Sequence, residues 1–525
     1  MTAIRLISGA VTVGAWTFLS RILGFVRDIL IAAWLGSGPV AEAFLVAFSL
    51  PNMFRRFFAE GAFNMAFVPM FAKKLEVGED AHGFARDALS GLTLILVVIA
   101  ILGTVFMPWL VLAMASGFAN DMRFDAAVTL GRIVFVYVVF ISLAALFSGV
   151  LNAGGKFAAA AAAPVLLNII LIGVLILAEL GYGRSVIGDA DNARHGTLLA
   201  FGVVLAGVAQ FALVWLAART AGFGLRPGWP RLTPEIKRLA VIAAPAMLAG
   251  GVVQINLLVG RQVASYFDGA IVWLSFADRL YQLPLGVVGI AIGIVLLPDL
   301  SRRLAARDTD GGQFAFSRAV EMSLALAIPA AAALAVIPVA MVRTLFEHGA
   351  FGPADTAATA LATAVYGLGL PAFVLQKALQ PLYFARQDTG RPFRFAAAAM
   401  LVNAILAIGL APFIGYVAAA IGTTLAAWFM LALLHLGSRK MGRAAKLDAQ
   451  VRKRVPRMLF ATAAMAAGLW LLDRLLAPIA ATGELAAIAS LALLCVLGLL
   501  IYGVTGIALG AFSVAELRKA MQRQT

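Results

Sequence analysis

Charged side chains interrupt the apolar segments of this chain at a few positions, and arginine predominates among them. The stretch "SRILGFVRDIL" (20–30) holds Arg21, Arg27 and Asp28 among aliphatic residues. A charge at the centre of a bilayer costs about 2.5–3.5 kcal/mol, so such residues face water or one another. The guanidinium group binds phosphate or carboxylate through two parallel hydrogen bonds and keeps its proton. These arginines indicate an internal cationic site for an anionic, phosphate-bearing ligand.

A second charged group follows in the next apolar stretch (41–72). The run "NMFRRFFAEG" (52–61) holds Arg55, Arg56 and Glu60, and Arg56 and Glu60 are four residues apart, on one helix face. Four arginines in the first two apolar segments would together cost about 10 kcal/mol if they faced lipid. We therefore expect them to line one water-filled cavity. In the first segment, Arg21 and Asp28 share a helix face, whereas Arg27 points elsewhere.

Five further charges lie in or beside apolar segments, namely Glu42, Arg261, Asp278, Arg279 and Lys377. Several have a purely structural interpretation. Arg261 and Lys377 can extend their long stems to the headgroup region, and Asp278 can form an ion pair with Arg279. The sequence leaves these interpretations open beside a role in ligand binding or gating.

Motifs of catalysis and cofactor binding are absent from the sequence. It has neither G-x-x-x-x-G-K-[ST] nor H-E-x-x-H, and its four histidines are scattered. The lone Cys495 excludes an intrachain disulfide and a cysteine metal cluster. We therefore expect no catalytic residues, no metal, no cofactor and no nucleotide, so the chain is expected to be a transporter and not an enzyme.

The composition is that of a polytopic membrane protein. Of its 525 residues, 62% are hydrophobic and 13% are charged, against about 25% charged in soluble domains. Apolar stretches such as 91–115 and 488–512 exceed the roughly 20 residues needed to span hydrocarbon. The net charge of +15 is concentrated in alternate loops, above all in 439–457. This positive-inside pattern predicts cytoplasmic termini and removes the need for a nucleic-acid partner.

The apolar runs predict fourteen transmembrane helices with an internal repeat. At a shift of about 235 residues, "LNAGGKF" (151–157) aligns with "RQDTGRP" (386–392), and Asn168 aligns with Asn403. A repeat of six spans preserves orientation, so the two copies form a parallel repeat with the binding site expected between them. The predicted division is 1–225 for spans 1–6, 226–440 for spans 7–12, and 441–525 for a basic loop and spans 13 and 14.

Several motifs resemble one family. "SRILGFVRD", "LPNMFRRFFAEGAFNMAFVP", "FADRLYQLPLGVVGIAIGIVLLPDLSR" (276–302), "LFEHGAF" (345–351) and "YFARQDTGRP" (383–392) are similar to the MurJ (MviN) family. That family comprises bacterial lipid II flippases of the multidrug/oligosaccharidyl-lipid/polysaccharide exporter superfamily. The resemblance implies two six-helix lobes around a V-shaped cavity, with spans 13 and 14 forming a groove for the lipid tail.

The resemblance also assigns roles to individual residues. It carries the essential arginines of the family onto Arg21, Arg27, Arg55 and Arg279, with Arg56, Asp28 and Glu60 at neighbouring signature positions. Glu42 stands at an acidic position of span 2 where the family pattern has Asp. Ser49 stands where many members have Lys, and the run 238–260 has no carboxylate, so a sodium site is not carried over.

The implied function is movement of lipid II across the bacterial cytoplasmic (inner) membrane for cell-wall biosynthesis by alternating access. Its partners would be lipid II, the bilayer and, as a further candidate, the cell-wall synthesis machinery. Three alternatives remain at this stage. One is an exporter of another polyprenyl-pyrophosphate-linked oligosaccharide, one is a non-transporting assembly scaffold, and one is a cation–drug antiporter, which the excess of arginine disfavours.

Overall fold

The computed structural model describes residues 3–56, 62–188 and 192–512. Side chains are described for these residues except 3–11, 62, 65, 245–257, 287–295, 297 and 298. Glu60, one of the predicted site residues, lies outside the described residues. Within the described residues the chain is α-helical and contains no β-strand.

Eighteen α-helices follow one another in the described residues, joined by short loops and three short 3₁₀ helices. They are α1 (Ala3–Leu35), α2 (Pro39–Arg55), α3 (Ala62–Val77), α4 (Ala81–Val105), α5 (Met107–Met114), α6 (Met122–Phe135), α7 (Tyr137–Ala153), α8 (Ala158–Glu179), α9 (Ala193–Thr220), α10 (Pro234–Ala264), α11 (Ala270–Ala305), α12 (Thr309–Val336), α13 (Pro338–Phe346), α14 (Pro353–Phe384), α15 (Gly390–Ile414), α16 (Val417–Ser438), α17 (Ala449–Ala480) and α18 (Glu484–Ala508).

Local sequence explains where several helices begin. Asp80 accepts a hydrogen bond from the Gly83 N–H at the start of α4, at 2.7 Å. Asp308 does the same for the Gly311 N–H at the start of α12, at 2.8 Å. Such N-cap carboxylates satisfy a backbone donor that has no partner inside the helix. Six consecutive alanines, the residue with the highest helix propensity, open α8.

Ten stretches of the described helices are long and apolar enough to cross a membrane. The charge-bearing helices α1, α10 and α11 have 33, 31 and 36 residues. The second predicted span falls on α2 and α3, which lie on either side of residues 57–61. The predicted multi-pass helical class is confirmed, whereas the count of fourteen spans stays a prediction.

The first compact unit contains Met1–Val272 together with His348–Phe351. In it α1 packs on α8, α2 on α6, and α9 on both α7 and α8. Aromatic rings form part of its core. Phe67 stacks on Phe63, Phe71 and Phe84 with ring centroids 5.4, 5.5 and 5.5 Å apart. Offset stacking of this kind stabilises a core beyond the burial of apolar area.

Helix α10 is fastened to this first unit at both ends. Lys74 of α3 forms an ion pair with Glu235 in the first turn of α10, at 2.6 Å. At the other end, the Ser116 N–H donates to Oε1 of Gln262 at 2.8 Å, and the Gly117 N–H donates to Oγ of Ser265 at 3.0 Å. Packing therefore divides the chain after Val272, whereas the repeat predicts a boundary after residue 225. The two criteria measure different properties, and the repeat boundary stays a prediction.

The second compact unit contains Trp273–Glu347 and Gly352–Thr525. In it α12 and α16 pack on α14, α15 packs on α16, and α17 pairs with α18. A cluster of charged groups attaches α17 to α12. Arg454 donates to Glu321 at 2.6 Å, Arg318 pairs with Asp448 at 2.6 Å, and the Asp448 N–H donates to Oγ of Ser317 at 3.0 Å. The two C-terminal helices therefore form part of this unit.

Candidate functional site

Arg27 is a buried cation in the first unit, and its side chain is only 7% exposed. Its Nε and Nη2 atoms both donate to Oδ1 of Asp28, at 3.0 and 2.7 Å. Consecutive helix residues do not face each other, so the long arginine side chain must turn back to reach its neighbour. Asp28 thus contacts Arg27, although the sequence places Asp28 on the helix face of Arg21.

Asn168 of α8 fixes this pair from a second helix. The Nη1 atom of Arg27 donates to Oδ1 of Asn168 at 3.0 Å, and Nδ2 of Asn168 donates to the Ser20 carbonyl at 2.9 Å. The buried amide therefore connects α8 to the backbone of α1 and orients the guanidinium. A buried ion pair is tolerated only when further hydrogen bonds satisfy its polar atoms. In the sequence Asn168 was notable only as a marker of the repeat.

The other arginines predicted in the first two segments differ in burial. Arg21 on α1 is exposed, and no described residue forms a hydrogen bond or an ion pair with it. Arg55 is half-buried at the last position of α2, and the exposed Arg56 follows it as the C-cap. These side chains are more accessible than Arg27. Among the arginines predicted in these two segments, Arg27 is therefore anchored, and Arg21, Arg55 and Arg56 are more accessible.

A second charged centre surrounds Arg123. Its Nη1 atom lies 2.8 Å from Oε2 of Glu42, its Nη2 atom lies 3.0 Å from Oδ1 of Asp268, and its Nε atom pairs with Asp121. The guanidinium also lies over the ring of Phe118, 4.5 Å from the centroid, in a cation–π contact. Three carboxylates thus converge on one cation. This cluster links the first turn of α2 to the start of α6 and to the loop between α10 and α11.

Glu42 is the buried centre of that cluster, with 1% of its surface exposed. Its Oε1 atom accepts a hydrogen bond at 3.2 Å from the N–H of Ile271, the second residue of α11. A carboxylate at a helix N-terminus satisfies a free backbone donor and interacts favourably with the positive end of the helix dipole. Glu42 therefore binds both Arg123 and the first turn of α11.

Arg123 was missed by sequence reasoning. It lies in the run "SGFANDMRFD" (116–125), which reads as a loop poor in basic residues. In the structure α6 begins at Met122, with Asp121 as its N-cap. The sequence indicates this site only through the Asp-x-Arg spacing at a helix start. That spacing does not identify the buried partner of Arg123, because Glu42 is 81 residues away in the chain.

The remaining predicted residues are dispersed over both units. Arg261 of α10 is half-buried in the first unit and donates to Sδ of Met114 at 3.8 Å. In the second unit Asp278 accepts a hydrogen bond from Gln282, and Arg279 and Lys377 are exposed. The convergence of Arg279 and Lys377 with the arginines of the first unit stays a prediction.

A metal centre finds no support in the described part of the chain. Across residues 3–56, 62–188 and 192–512, no group of three or more His, Cys, Asp or Glu side chains could hold a metal ion. The buried carboxylates Asp28 and Glu42 are paired with arginines. Anion binding by arginine is the chemistry that this arrangement offers.

The fold first defines a class of protein, the multi-pass helical membrane proteins. A solved structure described as an inward-facing MATE family transporter of the MOP superfamily superposes with a TM-score of 0.67 at 13% identity, covering 83% of this chain and 98% of that one. A structure of "Lipid II flippase MurJ, inward closed conformation" superposes with a TM-score of 0.78 at 24% identity, covering 94% and 98%. At these identities the likeness concerns the fold.

Sequence comparison narrows the class to a family. The family model described as "Lipid II flippase MurJ" matches residues 31–510. "Probable lipid II flippase MurJ" of Rhizobium meliloti (strain 1021) is 43% identical over 518 residues, which are 98% of this chain and 95% of that protein. "Lipid II flippase MurJ" of Burkholderia cenocepacia is 36% identical over 442 residues, 83% and 84% of the two chains. The chain belongs to the MurJ family, which confirms the resemblance of its motifs.

Proposed function

We propose that this chain moves lipid II, an undecaprenyl-pyrophosphate-linked disaccharide-peptide, from the cytoplasmic to the outer leaflet of the bacterial inner membrane. The observation that carries the proposal is Arg27, a cation anchored within an apolar helix of a chain that belongs to the MurJ family. A cation within a membrane-spanning segment is costly, and for that reason it marks a candidate functional site. The pyrophosphate of lipid II is an anion that arginine forks bind well.

The anchored and accessible arginines take different parts in binding. Asp28 and Asn168 hold Arg27 in one orientation, so its guanidinium has a fixed position in the site. Arg21 and Arg55, which are more accessible, contact the phosphates directly. Arg279 supplies a further guanidinium from the second unit, and the polyprenyl tail remains in lipid beside α17 and α18. Arg56, Glu60, Arg261, Asp278 and Lys377 support the site.

The basic loops orient the protein, with both termini in the cytoplasm. In this orientation Glu42, Arg123 and Asp268 lie at the outer end of the first unit. Their cluster then acts as a gate that stays closed while the site faces inward. Glu42 holds the first turn of α11 in that state, and opening requires the cluster to separate.

The energy for the cycle comes from the membrane potential. Each elementary charge that crosses 100 mV gains or loses about 2.3 kcal/mol. Bound phosphates neutralise the arginines, so the loaded site is close to neutral, whereas the empty site is positive. An inside-negative potential therefore draws the empty site back toward the cytoplasm, and its collapse should slow transport in sealed cells.

Complementation tests the function. Cells depleted of their own lipid II flippase would express the intact chain, Arg27→Ala, Arg55→Ala or, as a matched control, Arg302→Ala. Arg302 has a side chain that is 79% exposed and lies at the end of α11. We expect growth with the intact chain and the control and at least a tenfold loss of viable cells with the other two, at equal protein levels.

Two outcomes would contradict different parts of this proposal. Failure of a well-expressed intact chain would favour an exporter of another polyprenyl-pyrophosphate-linked oligosaccharide. If both single variants, Arg27→Ala and Arg55→Ala, rescue growth, the family assignment is preserved and phosphate binding by these arginines is contradicted.

A further inference from the structure

Four residues from the distal part of the chain pack as part of the first unit. They are His348–Phe351, which we name the strap, and they connect α13 to α14. The residues on either side of the strap belong to the second unit. The Phe351 N–H donates to the His348 carbonyl at 3.1 Å, which closes a tight turn. The Phe351 side chain is 1% exposed and anchors the strap.

The strap binds the C-terminus of α1 through the backbone. The Ala350 N–H donates to the Ala33 carbonyl at 2.7 Å. Ala33 is among the last four residues of α1, whose carbonyls have no partner within the helix. The strap therefore supplies a backbone donor that the helix end requires. No charged side chain takes part in this hydrogen bond.

Two glycines permit this close approach. Gly36 has φ +61° just after α1, and a Cβ there would lie 2.6 Å from the Ala350 carbonyl oxygen. Gly349 has φ +56°, and a Cβ there would lie 2.2 Å from the Ala33 carbonyl oxygen. Real Cβ atoms do not approach backbone so closely. Each glycine thus leaves space for the backbone of the other segment. The positive φ at both positions is a second reason why glycine is favoured there.

We propose that the strap and the C-terminus of α1 form a releasable clasp at the outer end of the first unit, which must open for the substrate site to face outward. This inference rests on the proposed function and orientation. The backbone hydrogen bond between Ala350 and Ala33 is individually weak, and both of its groups can form hydrogen bonds with water once the segments separate. Glu42 follows Gly36 by six residues, so the clasp and the Glu42–Arg123 cluster close the same end.

Thiol accessibility tests the clasp in the full chain. Cys495, the single and exposed cysteine, is replaced by Ser, and Ala32→Cys provides a reporter at a position with 0% exposure. A membrane-impermeant maleimide is added outside intact cells. We expect slow labelling in the parent and at least fivefold faster labelling with Gly349→Ala or Gly36→Ala, because the added methyl group prevents closure.

A matched control separates the clash from backbone strain. Gly78 also has a positive φ, +74°, but a Cβ there would meet no atom within 4 Å. Gly78→Ala should therefore label as slowly as the parent. Only variants that elute as a monodisperse peak after purification are compared. The labelling rates of Gly36→Ala and Gly349→Ala, which lie on opposite sides of the contact, must agree.

The outcomes distinguish this inference from the proposed function. Labelling of both clasp variants at the rate of the parent or of Gly78→Ala would overturn the clasp. Faster labelling of both, in a chain that moves no lipid II, would preserve the clasp and reject the proposed substrate. If the parent transports lipid II and the clasp variants label as slowly as the parent, the proposed substrate is preserved and the clasp is rejected.

Discussion

At the scale of single residues, the function of an arginine in this protein depends on its partners. Arg27 and Arg123 are both buried, but Arg27 has one carboxylate and an amide around it, whereas Arg123 has three carboxylates. Arg27 and Asp28 therefore form a neutral pair, whereas the three carboxylates around Arg123 exceed its single positive charge. The second arrangement repels an anion, and the first does not.

Removal of Arg123 should destabilise the protein strongly. Arg123→Ala leaves Glu42 buried without its guanidinium, and breaking such a pair costs about 3–5 kcal/mol. Arg302→Ala, which removes an exposed partner of Asp299 at 3.6 Å, should cost less than about 1 kcal/mol. Thermal unfolding in detergent measures both changes.

A double variant checks the cause. Replacing Glu42 by Gln together with Arg123 by Met removes both charges, so it should recover part of the lost stability. If Arg123→Ala unfolds at the temperature of the intact protein, the ion cluster does not stabilise the fold as described.

The sequence singles out candidate site residues, but it does not indicate the partners that the structure gives them. Arginines in apolar stretches are visible in the sequence, since charge is costly in lipid. Asn168 and Arg123 depend on contacts with residues 141 and 81 positions away, and no local pattern encodes such contacts. The pairing of Asp28 with Arg27 depends on side-chain conformation, which helical spacing alone does not fix.

At the scale of elements, the helices follow from hydropathy and capping, whereas their packing partners do not. The apolar runs and the Asp caps before α4, α12 and α17 locate helices directly. The membership of α10 in the first unit depends on Lys74, Gln262 and Ser265, which are ordinary polar residues in the sequence. Repeat alignment groups α10 with the second half because it compares sequence and not contact.

The attachment of α17 to α12 gives a prediction at this scale. Arg454→Ala removes one of the two cations that pair with Glu321 and should lower the unfolding temperature. Breaking a buried ion pair costs about 3–5 kcal/mol, and we expect a value near the lower end because Arg318 remains. Arg452→Ala, two residues away and exposed, is the matched control. Equal unfolding temperatures for the two variants would contradict a structural function of the cluster.

At the scale of the whole molecule, composition and motifs identify the family, and the structure adds the internal contacts of each unit. A hydrophobic content of 62% and the loop charges predict a polytopic membrane protein, and the ten apolar helices agree with it. The strap could not have been predicted, because its function depends on two glycines that are 313 positions apart in the chain (349 minus 36).

Transport by the purified chain tests the central claim most directly. Vesicles with an imposed inside-negative membrane potential would contain the protein and lipid II with a fluorophore on its peptide stem, and an impermeant reductant would bleach only the outer leaflet. We expect the intact chain and Arg302→Ala to make the inner pool accessible, and Arg27→Ala to slow this at least tenfold. Bleaching with the folded intact chain at the rate of protein-free vesicles would contradict the account, and equal rates for Arg27→Ala and the intact chain would contradict the arginine site.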